Sequence, residues 1–202
     1  MTVTTERRGS TPGRVLLAAA TTAVLILLFA LIAPPARADG DPSQDVIRGL
    51  TVEYRLDDTG ALFVTETFEW DFGNRNGLGF YRSLVQRMGW APDTSKSRLL
   101  RYSDFAVSSP SGAPAEVWVE NSYGTTLTLA VGAPDGSSET RTGVQTYVLT
   151  YVVEGAVNAI RAQEGVNDQD ELFYNVFSEA PNVVDRVDVT VTGPAEVVDV
   201  AC

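Results

Sequence analysis

The chain has 202 residues, 44% hydrophobic and 9% aromatic, enough for one sizeable core or for a core plus a membrane segment. Its formal net charge of −11, with no basic cluster in the body of the chain, argues against nucleic acid or anionic lipid headgroups as partners. Histidine is absent, which excludes Ser-His-Asp and Cys-His catalysis and the common zinc sites.

The N-terminus reads as an export signal. Arg7, Arg8 and Arg14 precede the uncharged run VLLAAATTAVLILLFALI, residues 15–32, which predicts a hydrophobic helix. The segment then closes on APPARADG, with small residues at Ala36 and Ala38. A basic start, an apolar run and an A-x-A ending describe a signal peptide over 1–38 with cleavage between Ala38 and Asp39. An uncleaved anchor is the alternative, because the run nearly spans a bilayer. In either case the positive flank stays inside and the rest is exported.

Residues 39–46 read as a polar leader, and a single exported domain is expected over 47–202. LTVEYRLD alternates Leu50, Val52, Tyr54 and Leu56 against polar neighbours, which predicts a strand. DDTG, 57–60, predicts a hairpin turn, and residues 61–72 the returning strand. GNRNGLG is a loop, and FYRSLVQRMGW, 80–90, fits a strand or a helix equally. RYSDFAVSS, AEVWVEN, TTLTLAV, VQTYVLTYVVEG, ELFYNVF and RVDVTVTG are rich in β-branched or aromatic residues and predict further strands. Only AVNAIRAQEG, 156–165, has a helical pattern. About eight or nine short strands with turns between them predict an all-β antiparallel sandwich.

The returning strand holds the most informative residue. Side chains alternate faces along a strand, so Leu62, Val64, Phe68, Trp70 and Phe72 form one apolar face with Glu66 in its middle. A carboxylate there is costly unless paired and hydrogen-bonded. Arg82, among the apolar neighbours of GFYRSL, is the expected partner in a structural ion pair, because its planar fork grips a carboxylate with two bonds. Arg75, in the Asn/Gly-rich loop, is expected to be solvated. A catalytic pairing of Glu66 with Glu69 or Asp71 is the competing reading. Glu66 and Glu69 are an odd number apart and face opposite sides of the strand, so they cannot flank one scissile bond without a bulge.

No catalytic, metal or cofactor residue is assigned. In NDQDEL, Asn167, Asp168, Asp170 and Glu171 offer oxygens for calcium, but the glycine such a loop commonly has at its bend is missing, and a solvated acidic turn is expected. GNRNGLG lacks the lysine and following helix of a phosphate loop. Tyr147, Tyr151 and Tyr174 suggest a sugar-stacking platform, yet Leu149 and Val153 share the face of Tyr147 and Tyr151, which marks it as core. Cys202 is the only cysteine. An exported chain rarely leaves one thiol unpaired, so a disulfide to a cysteine in a continuation of the chain is expected.

Five motifs in this order, DTGALFVTE, EWDF, GFYRSL, TYVLTYVVEGAV and DELFYNV, resemble the domain-of-unknown-function 2207 family, bacterial predicted membrane proteins, over roughly residues 46 to 200. The resemblance implies an exported N-terminal β domain followed by a transmembrane helix and a cytoplasmic, often glycine-rich tail. A tryptophan usually follows the last motif in that family, and FSEAPNVVDR has none. The family has no established activity, so the resemblance implies a location at the cell membrane, on its extracytoplasmic face, and not a reaction. Two function classes follow. One is a non-catalytic envelope module, membrane-anchored, that binds or senses a protein or glycan ligand; the other is a carboxylate-based hydrolase of cell-wall polymers.

Overall fold

Apolar residues at every second position commit this chain to sheets that bury one face. A computed structural model describes residues 40–90, 93, 95–133, 140–162, 168–177 and 182–200. The hydrophobic run 15–32, the cleavage site at Ala38 and Asp39, Asn167 and Cys202 lie outside the described residues. No helix among the described residues is long and apolar enough to cross a membrane.

The described chain opens with a 3-10 turn, Pro42–Gln44, capped by the Asp41 side chain. Strand β1, Val46–Leu56, then pairs antiparallel with β2, Leu62–Asp71. Their hairpin is held by Asp57, whose Oδ1 accepts from the Thr59 amide, the Thr59 hydroxyl and the Ala61 amide. Strands β3, Gly79–Val85, β4, Arg87–Gly89, and β5, Ser97–Leu99, follow. So do β6, Arg101–Ser108, β7, Glu116–Tyr123, β8, Thr126–Gly132, and β9, Val144–Glu154. The described chain ends with β10, Val157–Ile160, β11, Gln169–Leu172, β12, Val183–Val184, and β13, Val187–Thr192.

Six of these strands form one sheet in the order β12-β1-β2-β9-β6, with β13 also paired to β1. Three form a second sheet, β3-β8-β7, and two small ribbons pair β4 with β5 and β10 with β11. One core joins the two larger sheets. Val52, Tyr54, Val64, Phe68, Tyr147 and Leu149 come from the first, and Phe80, Leu84, Leu129 and Val131 from the second. Phe80 of β3 stacks on Trp70 of β2 with centroids 4.2 Å apart and planes 10° apart. It also meets Phe68 at 5.0 Å and Tyr147 edge-on at 5.3 Å. The close approach of β3 and β8 depends on Gly132, at φ +116°, where an added Cβ would lie 2.5 Å from the Leu78 carbonyl oxygen.

Four expectations are corrected. Residues 157–160 are strand β10, not helix, because β9 breaks at Gly155 (φ +87°) and Val157–Ile160 turns back to pair with β11. The strand expected over 171–177 ends at Leu172, and the residues that follow are drawn off by other partners. The sheet is not wholly antiparallel, since β12 and β13 both run parallel to β1. Finally, thirteen strands are present among the described residues, above the expected eight or nine, because several are pieces of two to four residues too short to show a period.

Phe80→Ala removes the ring that bridges the two sheets. It should cost about 3–5 kcal/mol, the usual range for deleting a buried aromatic. Urea denaturation of parent and variant measures this, and a cost under about 1 kcal/mol would show that the two sheets do not share this core.

Candidate functional site

Glu66 sits at the centre of β2, opposite Val52 of β1 and Leu149 of β9, and its side chain is completely buried. Arg82, on the inward face of β3, reaches across from the second sheet. Its Nε donates to Glu66 Oε2 at 2.9 Å and its Nη2 to Oε1 at 2.7 Å. Two further guanidinium N–H groups are used as well. Nη1 donates to the Ser83 carbonyl at 2.9 Å, and Nη2 to the Val176 carbonyl at 2.7 Å. The last bond draws the segment after β11 onto the core and accounts for its departure from strand pairing.

A chain of tyrosines completes the site. Tyr151, on β9, donates to Glu66 Oε1 at 2.9 Å. The Tyr174 hydroxyl lies 3.3 Å from the hydroxyls of both Tyr151 and Tyr102, and Tyr102 donates to the Val85 carbonyl. Tyr54 packs its ring edge-on against Tyr174 at 5.4 Å. Its own hydroxyl is buried without a hydrogen-bond partner among the described residues.

Electrostatics keep Arg82 and the tyrosines in one protonation state near neutral pH. Burial works against the Arg82 charge, but the charge and hydrogen bonds of Glu66 outweigh it and raise the guanidinium above its ordinary value. Burial raises Tyr54 and Tyr151, and the nearby Glu66 charge raises them further. Burial also raises Tyr174, and it pushes Tyr102 up to about 12. The tyrosines are therefore donors, Glu66 is filled by three donors, and no solvent reaches its oxygens.

The other carboxylates of β2 lie on the outer face. Glu69 is half exposed, with Oε2 3.9 Å from Arg186 Nη2, and Asp71 pairs with Arg48 at 2.9 Å. Neither converges with Glu66.

Arg75 requires a correction. It is not solvated: two of its guanidinium nitrogens bond the carboxylate of Asp45, and both side chains are nearly inaccessible. The Trp70 indole donates to the same carboxylate at 2.9 Å, and Asn182 donates to the Asp45 carbonyl at 3.1 Å. Asp45 belongs to the stretch expected to be a polar leader. Its burial depends on residues far away in sequence, so nothing local marks it.

The remaining candidates separate. Tyr147 and Tyr151 are core residues, 1% and 2% exposed, and form no open platform. Asp168 accepts from the Ala162 amide at 2.6 Å, and Glu171 from Asn158 at 2.9 Å. No group of three metal-ligating side chains occurs among the described residues. Sequence reasoning missed Asp45, Tyr54 and Tyr102 as members of polar clusters. The available signal for Tyr102 is a tyrosine on an apolar face, whose hydroxyl has to find a buried partner, whereas among the described residues Tyr54 joins the cluster through its ring alone.

The fold and the site define an all-β protein of several sheets built around a buried Arg–Glu–Tyr cluster. The chain belongs to a family described as predicted membrane proteins, DUF2207, whose N-terminal-domain model matches residues 46–201. No curated protein is detectably similar to it.

Removing one partner of a buried pair strands a charge, so Arg82→Ala should cost about 3–5 kcal/mol. Glu66→Gln should cost less, since an amide still accepts from the guanidinium. Combining Glu66→Leu with Arg82→Met should recover part of the loss, because neither charge then remains. Thermal melts of the four proteins decide this, and an Arg82→Ala melt within a degree or two of the parent would refute it.

The tyrosines set a separate pH dependence. In the unfolded chain they titrate near 10, and in the fold their values are raised, so the folded state holds protons that the unfolded state releases. Their contribution is complete below pH of about 10 and is lost as pH rises through their raised folded values, about 12 for Tyr102. Tyrosinate absorbance from these rings should therefore appear together with loss of the fold, and appearance well before it would contradict their burial.

Proposed function

We propose that residues 47–202 form a non-catalytic module of a cell-envelope membrane protein, a β-sandwich displayed on the extracytoplasmic face that binds or senses an external ligand. The observation that carries this is the state of Glu66. The carboxylate best placed by sequence for acid chemistry has all its donors supplied internally and no exposed oxygen. A general acid or nucleophile has to reach a reacting atom, and a group closed on every side is suited to holding sheets together. Glu66 and Arg82 are on this reading a structural pair. The family's description as predicted membrane proteins supports the envelope assignment. The signal-like segment 1–38 supports export, with a mature N-terminus at Asp39 and Cys202 in a disulfide.

Three measurements test the reading together. Protease added to intact cells should remove the module, and N-terminal sequencing of the recovered protein should begin at Asp39. Purified wall polymer incubated with the protein should release no new reducing ends. Protection from external protease would overturn the location. Released ends would instead favour a carboxylate-based hydrolase.

A further inference from the structure

The outer face of the six-stranded sheet carries an open trough of about 560 Å³ that crosses β13, β1, β2, β9 and β6. Five strands at about 4.8 Å spacing give it a length of roughly 19 Å. Register aligns the side chains in rows along it. Glu53 of β1 stands beside Thr65 of β2, which stands beside Thr150 of β9. In the adjacent row Arg55 stands beside Phe63, with its guanidinium 4.0 Å from the ring centroid.

The β6 end of the trough is shaped by a bulge between Ser103 and Ala106. There Asp104 has φ +57°, the only positive-φ non-glycine residue among the described residues. The bulge sends Phe105 inward against Tyr151, at 6.1 Å, and leaves Asp104 at the trough. A non-glycine residue in that conformation costs energy that an ordinary strand would avoid, and bulges re-aim side chains in this way.

The chemistry of the lining selects a ligand class. In the middle of the trough β1, β2 and β9 are each paired on both sides, so their main-chain donors and acceptors are spent. An extended peptide cannot add there as a strand, since strand addition needs an open edge. Recognition falls to side chains: the hydroxyls of Thr65 and Thr150, the carboxylates of Glu53 and Asp104, and the fork of Arg55. Donors and acceptors interleaved at this spacing match a chain of hydroxyl groups, each of which both donates and accepts. Two carboxylates against one guanidinium, on a chain of net charge −11, disfavour a polyanion.

We propose that this trough binds a linear, uncharged glycan lying across the strands. The proposal rests on the non-catalytic binding role inferred above and names the ligand class for it.

Calorimetric titration of the 202-residue chain with the hexasaccharide of N-acetylglucosamine, and separately with a β-linked glucose hexasaccharide, tests it. At least one should bind. Arg55→Gln and Thr150→Val should each weaken binding about tenfold, the loss of about one net hydrogen bond, with unchanged melting curves. Tyr81→Ser, on the outer face of the other sheet, should leave affinity unchanged. Binding of neither hexasaccharide, equal affinity in the trough variants, loss of binding in Tyr81→Ser, or preference for polygalacturonate would each overturn the proposal. Chromatography of the recovered sugar separates the two readings. Intact hexasaccharide without binding removes the glycan proposal alone, whereas shortened sugar removes the non-catalytic role.

Discussion

The bidentate bond between Arg82 and Glu66 is the constraint around which the rest of the core is arranged. It crosses from one sheet to the other in a region that excludes water. There an unpaired charge costs several kcal/mol, so any packing that separated the two would be strongly disfavoured. Hydrophobic contact alone tolerates sliding between sheets. A planar fork on a carboxylate does not, because both bonds fail together when the geometry shifts.

From that bond the surrounding polar groups follow. Arg82 has donors left over after engaging Glu66, and burial obliges them to find acceptors, which the Ser83 and Val176 carbonyls supply. Val176 lies in the DELFYNV stretch, which explains why that segment abandons strand pairing after Leu172. Tyr174 from the same stretch enters the hydroxyl chain between Tyr102 and Tyr151. Three of the five ordered motifs thus meet at one guanidinium, and a fourth supplies Tyr151. The Asp45–Arg75 pair repeats the arrangement beside Trp70 and ties the segment before β1 to the loop after β2.

Glu66 was conspicuous in the sequence because strand period is a backbone property, independent of what lies opposite. An inward-facing carboxylate then demands a cation, and the chain offers few arginines among apolar neighbours. Asp45 and Arg75 gave no such signal. Each sits in a polar stretch, and their burial comes from Trp70 and Asn182, contacts that period cannot reveal. Residues 156–165 misled for a related reason. A short Ala- and Ile-containing segment fits either period, and the choice was made by β11, a strand outside it. Likewise β13 shows clean alternation, which predicts a strand but carries no information on its direction beside β1. The outer-face trough was illegible because its residues come from five strands whose order is a property of the sheet.

Arg82 is clamped on both sides within the core. The most direct measurement is nitrogen NMR of its guanidinium in the intact chain. With Nη1 held by Ser83 and Nη2 by Glu66 and Val176, rotation about the Cζ–Nε bond should be arrested. Nη1 and Nη2 should then give separate resonances whose protons exchange slowly with water, and Glu66→Gln should accelerate both processes. A single averaged resonance with fast-exchanging protons would contradict the account.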